Sequence, residues 1–455
     1  MTYTEVYIRD KLIKELDAIH VEVIDESDGC GGKFSCIIVS EKSEGKPLLS
    51  RHRLVNNVLQ EELKIMSLNN HLASVLKFTV SAPGKVILYG DHSVVYDKSA
   101  IASSLGLRTR LYFTETPESK YVTIEVPSVA LTYTCELEVL QQRVKNLPSI
   151  KWQNPDVVNH EEFLNIVDSF IKQSSNHDLS AQQCVSLTCI FYLYFGIVQS
   201  INVKSFSIKI ETDLTLGAGT GSSASFAVVI AGAFIHYLRL KSNNNKTTFT
   251  EEELGIISKW AYSVEKICHG KPSGIDNTVC TYGSMVEFRK SHGMQFFSTT
   301  ELELLLVNTK QPRSTKQLVG GVAALKENHN SVVELILNAM NEIAKSALDC
   351  ILEISKANQE SSKKHYERLG ELTNINQCML QALGVSHPKL DDICSILKRV
   401  GLCGKLTGAG GGGYAISIVP PHIKREIIQD VIEELTSKGY EAILTKLGGS
   451  GVTVH

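Results

Sequence analysis

Residues 216–225 read LGAGTGSSAS, and this stretch decides how the rest of the chain is interpreted. Its three glycines, Gly217, Gly219 and Gly221, allow the backbone to approach an anion closely and to turn several amides toward it. The apolar run over 225–234 predicts a helix whose N-terminus faces the same anion. The spacing fits neither G-x-x-x-x-G-K-[ST] nor the dinucleotide-binding pattern. The stretch therefore predicts a phosphate-binding loop outside the two commonest nucleotide folds, although such a loop by itself is more often a simple turn.

Composition and charge narrow the class of protein. The chain has 455 residues, more than one hydrophobic core normally organises, so two or three domains are expected. Hydrophobic residues make up 43% of the chain and the formal net charge is −3, which gives no bias toward nucleic acid or membrane surfaces as partners. No apolar run approaches the ~20 residues of a membrane span, and no signal peptide is evident. The 11 scattered cysteines suit reduced thiols, so a cytoplasmic location is expected.

A second block contains Pro-Gly-Lys within residues 78–92. The pattern predicts a strand, a tight turn and a second strand, with Lys85 just past the turn. A lysine held there is able to project into a cleft, whereas most lysines only cover surface. Its role therefore depends on what the neighbouring blocks contribute.

Two further blocks supply carboxylates and glycines. Glu265 lies near the end of an amphipathic helix that begins near Glu251, and Asp276 follows a Pro-Ser-Gly turn. These acids suit a magnesium ion and a substrate hydroxyl, or they are ordinary helix-end and cap residues. Residues 408–413 contain five glycines in six positions, which favours backbone that passes close to phosphates or to another loop.

Together, the Pro-Gly-Lys, Gly-Ala-Gly-x-Gly-Ser-Ser-Ala and Gly-Ala-Gly-Gly-Gly-Gly blocks resemble the three motifs of the GHMP small-molecule kinases, over about residues 76–455. Within that superfamily the chain resembles the mevalonate kinase family at residues 84–92, 259–261, 269–277, 308–310 and 405–413. The resemblance implies ATP-dependent phosphorylation of the C5 hydroxyl of mevalonate, with Mg²⁺ as cofactor and a homodimer as the common assembly. Another GHMP-type kinase, acting on a sugar, homoserine or phosphomevalonate, stays open as an alternative.

The same resemblance assigns roles to individual residues. The implied catalytic residues are Asp276, as base, and Lys85. The implied ATP-binding residues are Lys85, Thr212, Gly217, Ala218, Gly219, Thr220, Gly221, Ser222 and Ser223. The implied substrate-binding residues are His92, Asp276, Thr315 and Ala409, and the implied metal ligands are Ser223 and Glu265. The chain departs from the family where Asp91 replaces a glutamate, which keeps the charge but shortens the reach.

Residues 3–68 resemble the BolA family, chiefly through the run KSEGKPLLSRHRLVN at 42–56. Periodicity predicts an α-β-β-α order, with helices over 6–18 and 54–63 and strands over 20–24 and 34–40. The resemblance implies a monothiol glutaredoxin as partner and a shared [2Fe-2S] cluster, for which Cys30 takes the place of the family's cysteine. Met66 occupies the position where the family has a histidine, and a thioether is a poor iron ligand, so the cluster is a doubtful cofactor. An adaptor activity of this module is a second alternative function.

The expected fold class is α+β, with a small BolA-like α/β module followed by a two-domain GHMP kinase fold whose active site lies in the inter-domain cleft. The expected divisions are a BolA-like domain at 1–68, a linker at 69–75, an ATP-binding domain at 76–295 and a C-terminal domain at 296–455. In the last domain, long helices are predicted over 332–356, 361–383 and 422–438.

Overall fold

The computed structural model describes residues 3–25, 34–63, 75–174, 178–199, 201, 203–270 and 272–455. The chain separates into two compact units, Met1–Leu76 and Lys77–His455. The family resemblances place the BolA-like segment in the first unit and the kinase motifs in the second. The proposed domain boundaries, including the division at residue 295, stay predictions.

The first unit packs helices against a two-stranded antiparallel sheet. Its elements are α1 (Glu5–Leu16), β1 (Ala18–Asp25), β2 (Phe34–Ser40) and α2 (Leu48–Val58). Ile8, Leu12 and Leu16 recur every four residues, so α1 buries one face against Val21 and Leu59.

The predicted α-β-β-α order is observed in the first unit, but the last helix begins earlier than expected. It starts at Leu48 instead of residue 54, because Pro47 suits the beginning of a helix and the chain turns helical directly after it. The basic run at 51–53 therefore lies inside α2. Cys30 and Met66 lie outside the described residues.

The second unit is built on one large mixed sheet with helices against it. Its first part contains β3 (Lys77–Tyr89), β4 (Ala100–Glu115), β5 (Tyr121–Val126), β6 (Leu131–Glu136), α3 (Leu137–Lys145), α4 (His160–Ser174), α5 (Ala181–Ile197), β7 (Phe206–Thr212), α6 (Ser222–Lys241), α7 (Glu251–His269), α8 (Ile275–Tyr282), β8 (Met285–Arg289) and β9 (Gly293–Phe297). Its second part contains β10 (Leu302–Asn308), α9 (Thr315–Asn328), α10 (Asn330–Lys356), α11 (Gln359–Ala382), α12 (Pro388–Arg399), β11 (Lys405–Leu406), β12 (Tyr414–Val419), α13 (Arg425–Ser437), β13 (Glu441–Leu447) and β14 (Thr453–Val454).

The sheet joins the two parts of the second unit. The main strand order is β11-β12-β10-β13-β4-β7-β5-β6, and β13 meets β4 where Leu447 pairs with Leu105. The last strand, β14, returns to pair with β3 at the beginning of the unit. Segments far apart in sequence are therefore brought together in one sheet.

The strand that carries Lys85 differs from its prediction. Pro83 and Gly84 do not form a turn between two strands; β3 runs without interruption, and its pairing with β4 shifts register between Pro83 and Lys85. Proline is tolerated at such a bulge because its missing N–H falls where the regular ladder is broken. Gly84 is required there, since a Cβ would lie 2.8 Å from the carbonyl oxygen of Thr220.

Helix α6 is apolar on all sides and forms part of the core. It is the one helix among the described residues that is long and apolar enough to cross a membrane, but 83% of that stretch is buried inside the unit. It packs against α5, α7 and α8 and against β3 and β4. Its apolar character is explained by this burial.

Candidate active site

The glycine-rich loop wraps around the base of Lys85. Gly217, Gly219 and Gly221 have φ angles of +72°, +91° and +70°, the left-handed region that glycine adopts without strain. The amide of Lys85 donates to the Thr220 carbonyl oxygen over 2.9 Å. A side chain at Gly221 would lie 2.8 Å from Lys85 Cγ, so glycine there is what lets the loop close on the lysine.

The loop leads directly into the N-terminus of a helix. Helix α6 begins at Ser222, immediately after Gly221 and three residues before the predicted start. Its first backbone N–H groups have no intrahelical acceptors and carry the positive end of the helix dipole. This end of the loop is therefore suited to bind phosphate.

Lys85 and Asp276 face each other beside the loop. Lys85 Nζ lies 3.2 Å from Asp276 Oδ1 and 3.4 Å from the Gly219 carbonyl oxygen. The lysine is buried, whereas a third of the Asp276 side chain is exposed. Asn277 fixes the start of α8 by donating to the Ser258 carbonyl and hydroxyl oxygens over 3.0 and 2.9 Å. Lys85 thus holds Asp276 through Oδ1, and the partly exposed carboxylate of Asp276 remains accessible to a ligand.

Glu265, from α7, and Ser223, from the start of α6, bring side-chain oxygen atoms close to His269. Glu265 is 2% exposed, and its Oε1 has no hydrogen-bond partner among the described residues. Burial, together with the nearby Asp276 charge, raises the pKa of the Glu265 carboxyl. The Ser223 hydroxyl and Glu265 Oε2 both approach His269 Nε2, at 3.2 and 3.8 Å.

This donor set fits a magnesium ion. A carboxylate and a hydroxyl are hard oxygen ligands, and the unpartnered buried Oε1 of Glu265 requires a cation or a donor. Magnesium in phosphate-transfer sites is usually held by one or two protein ligands together with phosphate oxygens and water. Among the described residues, no group of three or more His, Cys, Asp or Glu side chains is placed to hold a metal ion.

The second glycine-rich loop is anchored by a buried ion pair. Lys405 Nζ lies 2.5 Å from Asp91 Oδ2, and both side chains are almost completely buried. The other carboxylate oxygen of Asp91 accepts from the Gly408 amide over 2.6 Å. His92, at a φ of +60°, places its Nε2 2.8 Å from the Ala409 carbonyl oxygen. Asp91 thus fixes this loop through its contacts with Lys405 and Gly408, which were not predicted from the sequence.

Arg313 connects the two glycine-rich loops and was not singled out in the sequence. Its guanidinium donates to the Ala218 carbonyl oxygen over 3.1 Å and to the Thr407 carbonyl oxygen over 3.3 Å. A Cβ at Gly219 would lie 2.0 Å from the same guanidinium. Burial lowers the pKa of Arg313. The sequence feature that would have indicated Arg313 is its position in the loop between β10 and α9, three residues after the 308–310 motif.

A cavity of about 640 Å³ opens beside these groups. Its polar wall includes most of the predicted nucleotide-binding and catalytic residues, namely Thr212, Gly217, Gly219, Gly221, Ser222, Ser223 and Asp276, together with Thr315, which was predicted to bind the substrate. Its apolar wall contains Val129, Val185, Ile210 and Phe226. An apolar slot that ends in a phosphate-binding loop suits a nucleotide.

The other predicted residues do not line this cavity directly. Ala218 and Thr220 act through their carbonyl oxygens, which accept from Arg313 and from the Lys85 amide. Glu265 lies near Ser223, since both approach the His269 ring. His92 and Ala409 contact each other at the second glycine-rich loop. The individual roles assigned to all these residues stay predictions.

Comparison with known proteins gives the family. The model for the GHMP kinases N terminal domain matches residues 187–284, the GHMP kinases C terminal model matches 357–435, and the BolA-like protein model matches 12–73. Mevalonate kinase from Bos taurus is 34% identical over 83% of this chain and 94% of the relative. The chain belongs to the mevalonate kinase family. Mevalonate kinase from Candida albicans is also 34% identical, over 84% of this chain and 90% of the relative.

Solved structures agree on the fold of this mevalonate kinase family member. The Methanococcus jannaschii mevalonate kinase aligns with a TM-score of 0.60 at 23% identity, over 83% of this chain and 99% of that one. The L. major mevalonate kinase in complex with R-mevalonate aligns with a TM-score of 0.56 at 22% identity, over 83% and 98%. Both resemblances stated from the sequence are therefore confirmed, as is the GHMP kinase fold.

Proposed function

We propose that the chain transfers the γ-phosphoryl group of ATP to the C5 hydroxyl of mevalonate, giving 5-phosphomevalonate and ADP. The observation that carries this proposal is the Asp276 carboxylate, 3.2 Å from Lys85 Nζ at the edge of a phosphate-binding loop. Relatives named mevalonate kinase, at 32–35% identity over more than four fifths of the chain, support mevalonate as the substrate.

Asp276 is the proposed base. Its carboxylate accepts the C5 hydroxyl proton while the hydroxyl oxygen forms a bond to the γ-phosphorus and the bond from that phosphorus to the bridging oxygen of ADP breaks. Lys85 holds the carboxylate in place and adds positive charge beside the oxygen that becomes negative. Because both groups are positioned before substrate binds, little reorganisation is needed in the transition state.

The phosphate loop and Arg313 are proposed to hold the ATP phosphates. The amides of 217–222 and the N-terminus of α6 offer donors that neutralise phosphate charge. Arg313 fixes the distance between the two glycine-rich loops through its bonds to Ala218 and Thr407. Ser223 and Glu265 would hold Mg²⁺, which when bound neutralises charge on the β- and γ-phosphates.

Mevalonate is proposed to lie on the Asp276 side of the cavity. Thr315 begins α9 at the cavity wall, where its hydroxyl is available to a ligand. His92 and Ala409 are proposed to contact the substrate from the second glycine-rich loop. These placements follow the family pattern and the position of the second loop next to Asp91.

The deciding experiment is ATP consumption by the purified chain with mevalonate, galactose, homoserine and phosphomevalonate, and Asp276→Ala as the inactive comparison. We expect turnover with mevalonate only. If another of these compounds is turned over instead, the chain is a kinase of the same type and mevalonate is not its substrate. This panel is needed because a galactokinase complexed with galactose and a phosphomevalonate kinase share the fold, at TM-scores of 0.51 each.

For the whole chain, we propose a homodimer in the cytoplasm, and for residues 1–68 a monothiol glutaredoxin as partner. The support for the last is the BolA-like match over 12–73. Co-purification of the chain with a monothiol glutaredoxin, compared with a chain that begins at residue 76, tests the partner. A cluster spectrum in the visible range would be a separate result, because binding does not require the cluster.

Arg313→Lys is expected to lower kcat/KM by about 10- to 100-fold, because one ammonium cannot reproduce the two bonds of the guanidinium fork and small displacements of phosphate-binding loops are costly. Steady-state kinetics with varied ATP measures the effect. The matched control is Arg425→Lys, whose side chain is exposed and pairs with Glu303 on the surface. Equal kinetics for the two variants would show that Arg313 does not position the loops.

Glu265→Gln is expected to raise the Mg²⁺ concentration for half-maximal activity by about tenfold or more, because an amide keeps the shape of the carboxylate but loses its charge. Titration of activity with Mg²⁺ at saturating ATP measures the shift. Glu252→Gln, an exposed residue in the first turn of the same helix, is the control. An unchanged Mg²⁺ dependence in Glu265→Gln would remove Glu265 from the metal site.

A further inference from the structure

Residues 448–455 form a return segment that runs back over the two elements that carry Lys85 and Asp276. Its strand, β14, pairs antiparallel with β3, which is the strand of Lys85. Its Val452 amide donates to the Thr281 carbonyl oxygen over 3.0 Å, in the last turn of α8, and α8 carries Asp276 in its first turn. The return segment therefore contacts both elements of the Lys85–Asp276 pair.

The contact between the return segment and the end of α8 is tight. A Cβ at Gly451 would lie 2.0 Å from the Thr281 carbonyl oxygen, and a Cβ at Gly283 would lie 2.3 Å from the Gly451 amide nitrogen. Directly after α8, the Ser284 amide donates to the Gly449 carbonyl oxygen over 2.9 Å. Backbones packed this closely do not move independently, so a displacement of the return segment displaces the end of α8.

Arg108 fastens the return segment to β3. It lies on β4, opposite Pro83 at the register shift in β3. Its guanidinium donates to the carbonyl oxygens of Ser450 and Gly451 over 2.9 and 2.6 Å. It also donates to the hydroxyl and carbonyl oxygens of Ser81, on β3, over 2.9 and 3.0 Å. One side chain thus holds together two segments that are far apart in the sequence.

The chemistry of the Arg108 guanidinium suits this role. All of these bonds go to neutral carbonyl and hydroxyl oxygens. Burial, together with the nearby charge of Arg110, lowers the pKa of Arg108 to about 10, so the group stays charged at neutral pH. A guanidinium offers N–H donors from three nitrogens in one plane, whereas a glutamine amide offers donors from one.

We propose that Arg108 is a positioning residue for phosphoryl transfer, which sets the separation of Lys85 and Asp276 by fastening the return segment to β3. The proposal rests on the roles proposed above for Lys85 and Asp276. Without the guanidinium, fewer bonds hold the end of α8, and Asp276 departs from its position 3.2 Å from Lys85 Nζ. A misplacement of about 1 Å in a reacting group can lower the rate by about 100-fold.

The first test needs no substrate. Hydrogen–deuterium exchange of the full chain is compared with that of Arg108→Gln, and peptides are read by mass spectrometry. We expect exchange at least about tenfold faster at the end of α8 and in the return segment, where bonds to the guanidinium are lost, and unchanged exchange in α12. Unchanged exchange at the end of α8 would show that Arg108 does not hold this helix.

The second test measures kinetics with the substrate that the chain phosphorylates. Arg108→Gln is expected to lower kcat by about 10- to 100-fold and to change the KM for ATP by less than about threefold. In an Asp276→Asn background, which has no base left to position, the same change is expected to lower kcat by less than about threefold. If the two losses multiply, or if Arg108→Gln keeps the kcat of the unaltered chain, the proposal is wrong. Turnover of a panel substrate other than mevalonate would contradict the proposed substrate and not the role of Arg108.

Arg239→Gln is the matched control for a merely structural role. Arg239 is also buried, at 7% exposed, and donates to the carbonyl oxygens of Lys246 and Thr248 beyond the far end of α6. Its loss is expected to lower stability but not kcat, and equal losses of kcat in both variants would assign the effect of Arg108→Gln to stability. If Arg108→Gln does not fold, Ser81→Ala decides, because it removes one acceptor of the guanidinium. We expect it to lower kcat by about 3- to 10-fold, and an unchanged kcat would overturn the proposal.

Discussion

Asp276→Ala is expected to lower kcat by about 10²- to 10⁴-fold, the usual contribution of a positioned base. The alanine removes the acceptor for the hydroxyl proton and leaves Lys85 without the carboxylate that it contacts at 3.2 Å. The KM for ATP is expected to change much less, because the phosphate loop and the apolar wall of the cavity do not depend on the Asp276 side chain. Steady-state kinetics with mevalonate measures both constants.

Two further variants separate loss of the base from loss of structure. Asp276→Asn keeps the size of the side chain and its contact with Lys85 but cannot accept the proton, so its kcat is expected to fall nearly as far. Asp392→Asn alters an aspartate that pairs with Lys438 outside the cavity, and wild-type kinetics are expected. A kcat for Asp276→Asn equal to that of the unaltered chain would show that the reaction proceeds without this base.

Lys405→Met is expected to reduce the free energy of unfolding by about 3–5 kcal/mol, because it leaves the Asp91 carboxylate buried without its cation. The two side chains are 1% and 0% exposed, so solvent cannot replace the lost partner. The Gly408 amide remains one donor to Asp91, which is insufficient for a buried charge. Chemical denaturation, read as a shift of the midpoint at constant slope, measures the change.

A second substitution, at Asp91, tests whether the buried charge left without its cation causes the loss of stability. Adding Asp91→Asn to Lys405→Met removes the stranded charge while keeping an acceptor for Gly408, so part of the lost stability is expected to return. Lys438→Met breaks an exposed ion pair with Asp392 and is expected to reduce the free energy of unfolding by at most about 1 kcal/mol. If Lys405→Met costs no more than Lys438→Met, the buried pair does not hold the second loop.

Local signals explain why much of the fold was predictable. The helix at Glu251 has a capping box formed by Thr250 and Glu253, and both glycine-rich stretches fall where the backbone takes positive φ angles. Such features depend on a few adjacent residues, so they are visible in the sequence. The Pro-Gly prediction at residues 83–84 was wrong for the opposite reason, because pairing with β4 along the whole of β3 outweighs the local preference for a turn.

The sequence by itself determined the family, the kinds of element and the residue types from which a kinase site is expected. Only the tertiary structure decided which charges meet: Asp91 pairs with Lys405 across 314 positions, and Arg313 joins two loops that lie 95 and 94 positions away on either side of it. Helix capping and backbone conformation depend on residues only a few positions apart in the sequence. The partner of a buried charge is settled by the path of the whole sheet, which brings distant segments together and excludes the water that would otherwise solvate them.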